Sequence, residues 1–102
     1  MRALKVKYLR TLEEFNSINE TAEESYYSIE TADSYEDVTG AKYYDASEVY
    51  DTLKEIKKSD KEFTGETGKY YAVLNAESNG NLYKLYGNVR KYKGDYIFTP
   101  IK

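Results

Sequence analysis

The sequence predicts a small α+β domain: a small antiparallel sheet, made of an N-terminal strand plus a C-terminal three-stranded meander, packed against one or two helices. Three observations carry this. Asn79-Gly80 separates two runs rich in strand-forming residues, and Asn-Gly supplies the positive φ angles of a two-residue hairpin turn. Asp45-Ala46-Ser47-Glu48 has the form of a capping box, and an apolar stripe at helical spacing follows it. Leu4, Val6 and Tyr8 alternate with Lys5 and Lys7, the period of a strand with one buried face.

In chain order, the first strand falls at 4–8, with Leu4, Val6 and Tyr8 expected inward. Thr11-Leu12-Glu13-Glu14 is a second capping box, after which Leu12, Phe15, Ile18, Ala22, Tyr26 and Ile29 recur at steps of three and four. Tyr27, Ile29 and Thr31 also alternate with Ser28 and Glu30, so 26–32 is a strand in the alternative reading. The stretch 33–44 reads as a loop or short strand with Gly40 at a turn. A helix over 45–58 places Ala46, Val49, Tyr50, Leu53 and Ile56 on one face, expected to pack on Leu74, Leu82, Leu85 and Ile97. The meander spans 69–100, with Tyr70 to Leu74, Leu82 to Tyr92 and Tyr96 to Thr99 as its strands and Lys93-Gly94-Asp95 as its second turn. Gly87-Asn88 inside the middle strand marks a bulge, and Pro100 fits the end of an edge strand.

Length and composition bound the answer further. With 102 residues the chain, 1–102, is one domain. Leu, Ile, Val and Phe together make 20 of the 102 residues, near the roughly 20% below which a chain fails to bury a core. Thirteen Tyr compensate, each offering a large ring that needs a partner only for its hydroxyl. The chain has neither Cys nor His. That excludes disulfides, thiolate zinc sites, thiol nucleophiles and imidazole-activated nucleophiles. The charged start Met1-Arg2-Ala3-Leu4-Lys5 is no signal peptide, and no run approaches the ~18 apolar residues of a membrane span. The expectation is a soluble cytoplasmic protein without cofactor or metal.

Charge is distributed unevenly. The first twelve residues carry four bases and no acid. Residues 13–37 carry Glu13, Glu14, Glu20, Glu23, Glu24, Glu30, Asp33, Glu36 and Asp37 and no base. The remainder is mixed, with bases in excess after residue 62, so the net of −3 hides an acidic block between basic ends. If the block were mostly helical it would run ~37 Å at ~1.5 Å per residue, with one carboxylate per ~4 Å. That density approaches the one phosphate per ~3.4 Å of a DNA strand. Such a surface can occupy a basic DNA-binding groove. The expected partner-binding residues are Glu13, Glu20, Glu23, Glu24, Tyr26, Tyr27, Glu30, Asp33, Tyr35, Glu36 and Asp37, the tyrosines serving as anchors. The bland alternative is a solvated acidic face, although ordinary surfaces intersperse signs.

Two further features compete. Lys69, Lys84, Arg90, Lys91 and Lys93 interleave with Tyr70, Tyr71, Tyr83, Tyr86, Tyr92 and Tyr96, a pattern that could stack unpaired bases on a sheet. A net of −3 opposes direct nucleic-acid binding. Gly65-Glu66-Thr67-Gly68-Lys69 has two residues between its glycines where a phosphate loop needs four, and Tyr70 follows the lysine, so it is not one. No carboxylate spacing marks an enzyme, and none is expected.

In its size, acidic block, many tyrosines and lack of Cys and His, the chain resembles the small acidic inhibitors of phages and mobile elements. Those include DNA mimics, antirestriction proteins, anti-CRISPR proteins and inhibitors of DNA-repair enzymes. The resemblance implies a non-enzymatic inhibitor in the host cytoplasm. Its protein partner would carry a basic nucleic-acid-binding groove, as a nuclease or CRISPR effector does. The competing expectations are a single-stranded nucleic-acid module on the C-terminal sheet, and a structural protein that assembles through a sheet edge.

Overall fold

The structure is a computed structural model that describes residues 5–31, 43–59 and 70–101. The described elements run β1 (Lys5–Tyr8), α1 (Leu12–Asn19), β2 (Glu24–Thr31), α2 (Ala46–Ser59), β3 (Tyr70–Ser78), β4 (Asn81–Tyr92) and β5 (Asp95–Pro100). The five strands form one mixed sheet in the order β1-β4-β3-β2, and β5 also pairs with β4. The α+β expectation holds, with a fifth strand and one parallel pairing added.

The meander follows from its turns. Asn79 and Gly80 both have positive φ, as do Lys93 and Gly94, so each pair of strands closes through a two-residue turn whose twist matches the ladder. β4 is long enough to hold two partners on one edge. Its first half pairs in parallel with β1, Val6 opposite Leu82, and its second half pairs antiparallel with β5, Val89 opposite Phe98. The N-terminal strand is therefore not part of an antiparallel sheet.

Both helices lie on one face. Phe15 of α1 packs with Leu9, Ala76 and Leu85, while Val49 and Leu53 of α2 pack with Ile29, Ala72 and Val89. Phe98 touches both clusters and joins them. The α2 stripe thus meets the sheet, though Leu74 and Leu85 belong to the α1 cluster and Ile97 is 42% exposed. Each helix starts at the N-cap residue its sequence offers. The Glu14 amide donates to Thr11 Oγ1 at 3.1 Å, and the Glu48 amide donates to Asp45 Oδ1 at 2.9 Å.

Two expectations are corrected. First, α1 stops at Asn19, and a strand follows as in the alternative reading of 26–32, with bounds Glu24–Thr31. Ser25, Tyr26, Tyr27, Ser28, Ile29 and Thr31 are poor helix formers, and pairing along the whole of β3 satisfies their backbone. Second, Val6 (61% exposed) and Tyr8 (45%) point away from the helices, so the alternation in β1 reports no buried face; Leu9, one residue on, is the one that enters the core. At Gly87 β4 changes neighbours: its ladder with β3 ends there and its ladder with β5 begins there. Glycine is needed there for room, because a Cβ would lie 2.3 Å from the Thr99 carbonyl oxygen and 2.7 Å from the Phe98 ring.

Candidate functional site

The acidic block does not form one long row. α1 has eight residues, about 12 Å of helix at ~1.5 Å each. A phosphate-like array along ~37 Å of helix is absent. Of the described acids of the block, Glu20, Glu23 and Glu24 lie where α1 ends and β2 begins, beside the end of β3, while Glu13 and Glu14 stand in the first turn of α1. Glu13, Glu14 and Glu20 are exposed on α1, and Glu13 and Glu20 flank a shallow groove with Leu12, Asn16 and Ser17. Glu23 is exposed and its amide donates to the Glu77 carbonyl at 2.8 Å. Glu24 stands directly opposite Glu77 on the neighbouring strand. Asp33, Tyr35, Glu36 and Asp37 lie outside the described residues.

Two placements in this corner work against local stability. Glu20 sits at the C-cap of α1, where the helix dipole favours a cation, and the last turn carries no base. Glu24 and Glu77 put like charges opposite each other on paired strands, a destabilising arrangement. By contrast, Glu13 and Glu14 in the first turn of α1 suit the dipole and are explained by the helix alone.

Three of the expected contact residues have other surroundings. Glu30 is 1% exposed: Lys84 Nζ bonds its Oε2 at 2.5 Å, and the Tyr86 hydroxyl donates to its Oε1 at 3.4 Å. It belongs to a buried polar layer on the face away from the helices. There the Asn75 amide also donates to Ser28 Oγ at 2.8 Å. Strand alternation puts Glu30 on that face, where Lys84 and Tyr86 engage it and it is closed to solvent, so it is no surface contact. Tyr26 is half-buried on the same face. Tyr27 points to the helix side, pairs its backbone with Tyr43 through two bonds of 2.7 and 2.9 Å, and packs its ring 6.0 Å from that of Phe98. Burial pushes the Tyr27 phenol pKa up.

The basic, tyrosine-rich sheet also divides. Lys84 is committed to Glu30, and Tyr86 is 2% exposed, stacked 4.8 Å from Tyr8 and edge-on to Tyr71 at 6.2 Å. What stays open is the β4–β5 hairpin. Arg90, Lys91 and Lys93 are exposed there, Tyr92 is 58% exposed, and Lys93 lies 5.3 Å from the Tyr92 ring centre. Among the described residues no group of three or more carboxylates is placed to hold a metal ion, and no helix is long and apolar enough to cross a membrane. The chain was compared with protein-family models, curated proteins and solved structures, and none matches.

Proposed function

We propose that this protein is a binding inhibitor whose acidic corner occupies the basic groove of a nucleic-acid enzyme, with no chemistry of its own. The observation that carries the reading is the placement of Glu20 at the C-cap of α1. There the helix dipole opposes a carboxylate, no base stands in the last turn, and a partner's cations would relieve that opposition. Exposed Glu13 and Glu23 extend the same surface and steer encounter with a positive groove. An anti-CRISPR or antirestriction role is the leading form of this reading, and the host cytoplasm its place of action.

The test is affinity capture from host lysate with native protein and with a Glu13→Lys, Glu20→Lys, Glu23→Lys triple variant. All three side chains are exposed, so circular dichroism should show an intact fold. A captured nucleic-acid enzyme that duplex DNA displaces, and that the triple variant fails to retain, supports the proposal. Equal retention by the folded triple variant sinks it.

A second reading has one observation in its favour. Exposed Tyr92 between Lys91 and Lys93 offers a stacking ring with cations on both sides, as single-stranded nucleic-acid sites do. Salt-sensitive binding of an oligonucleotide by the isolated protein, lost on changing Lys91 and Tyr92, would favour it over the first.

A further inference from the structure

The sheet face away from the helices holds an ion pair in its interior. Lys84 Nζ bonds Glu30 Oε2 at 2.5 Å, and the Lys84 side chain is 12% exposed. Glu30 and Asn75 are each 1% exposed. Burying an ion pair often costs as much as its attraction returns, and neither functional reading uses this one. Asn75 on β3 stands directly opposite Lys84 on β4, and opposed residues on one face have Cβ atoms ~4.5–5.5 Å apart. β3 lies between β4 and β2, so the Lys84 stem crosses β3 to reach Glu30 and runs beside Asn75. Asn75 Nδ2 donates to Ser28 Oγ at 2.8 Å, to the Val73 carbonyl at 3.3 Å and to the Tyr26 carbonyl at 3.5 Å. Ser28 and Tyr26 belong to β2, so the amide nitrogen points there and the carbonyl carbon is left on the Lys84 side. An amine, the carboxylate that bonds it and a carboxamide are thus gathered on three neighbouring strands.

We propose that Lys84 and Asn75 condense into an isopeptide bond, with Glu30 as the proton carrier. Glu30 Oε2 takes a proton from the Lys84 ammonium, and the neutral Nζ attacks Asn75 Cγ. Glu30 returns that proton to Nδ2. The Nζ–Cγ bond forms, the Cγ–Nδ2 bond breaks, and Nδ2 leaves as ammonia. The second proton released by Nζ passes to Glu30, and the ammonia carries it off as ammonium, which restores the carboxylate. Nothing is oxidised or reduced, and no co-reactant enters. The Tyr86 hydroxyl donates to Glu30 Oε1 at 3.4 Å, which leaves Oε2 to the lysine. The Tyr86 ring is 2% exposed, with the Tyr8 and Tyr71 rings packed against it, so the layer is walled by aromatic surface. Holding the amine beside the carboxamide replaces a bimolecular encounter with an internal step. The product ties β3 to β4 by a bond that unfolding does not break. This inference does not rest on the acidic-corner reading, and its test leaves that corner untouched.

Mass spectrometry of the denatured native protein, after prolonged incubation in its folded state, is the test. The expected mass lies below the sequence value by one ammonia. Trypsin should then release a 70–90 peptide uncut after Lys84, since an acylated lysine is no longer a substrate, and fragmentation should join positions 75 and 84. Glu30→Gln keeps the shape of the side chain and cannot carry the proton. It should show the full sequence mass of the variant and be cut after Lys84. Lys84→Arg should likewise lose no ammonia. A succinimide at Asn79-Gly80 would shed the same ammonia but leave Lys84 open to trypsin, and that result overturns the proposal. So does the full sequence mass in the native protein, or the loss of one water with Lys84 joined to Glu30. The native protein decides this even if neither variant folds.

Discussion

Gly87→Ala tests how tightly the two halves of the sheet are locked together. The added Cβ would stand 2.3 Å from the Thr99 carbonyl oxygen, 2.7 Å from Phe98 Cζ and 2.9 Å from the Thr99 carbonyl carbon. Ordinary contact begins near 3.4 Å, so a backbone atom must retreat by more than 1 Å. The Phe98 ring cannot swing clear, because it packs against both core clusters. Moving β5 instead strains its ladder with β4 from Gly87 to Tyr92 and the bond from the Ile101 amide to the Tyr86 carbonyl, 2.9 Å long. Overpacking of this kind costs ~1–3 kcal/mol, against which the lost flexibility of the unfolded chain returns ~0.4–1 kcal/mol only where the new residue fits without strain, which is not the case here. At ~4–8 °C per kcal/mol for a domain of this size, the thermal midpoint should fall by roughly 5–20 °C. Melting followed by circular dichroism measures it, with Asn88→Ala, an exposed neighbour, as the control. A Gly87→Ala midpoint equal to that of the control would refute the close approach of β4 and β5.

Other expectations follow from the same structure. Leu53→Ala should cost ~2–5 kcal/mol by chemical denaturation, since Leu53 is 7% exposed in the α2 cluster. Val6→Ala, on a side chain 61% exposed, should change stability little, and comparable losses in the two variants would show the core is misplaced. Asp45 is held below the ordinary carboxylate pKa first by the Ser47 hydroxyl and next by the Glu48 amide. Its folded-state pKa is depressed, so its stabilisation is present above the unfolded-state pKa and fades as pH falls through the folded value. The midpoint gap between native protein and Asp45→Ala should therefore shrink on acidification below about pH 4, and a gap constant down to the lowest pH would contradict this. Fluorescence anisotropy should detect no tight binding of duplex DNA at physiological salt, because the acidic corner and the net charge of −3 repel phosphate. Sub-micromolar duplex binding would remove the basis of the inhibitor reading.

Local signals were legible in the sequence, and pairing partners were not. The two helix N-caps, the Asn79-Gly80 turn and the β3–β4–β5 meander need only neighbours in the chain, and each stands as read. The end of α1 was ambiguous because 26–32 satisfies both periods, and only the presence of β3 alongside Glu24–Thr31 decides for a strand. The face of β1 was misjudged for the same reason. Alternation says that two sides differ, but which side is covered depends on where the helices land. Composition also showed an acidic block without showing that Glu30 leaves it for Lys84, 54 positions away. The sequence alone determined how much charge the block carries, because composition is independent of folding. Tertiary structure alone decided where that charge sits: strand register sends Glu24 beside Glu77 and buries Glu30, and the short α1 sets Glu20 at its end.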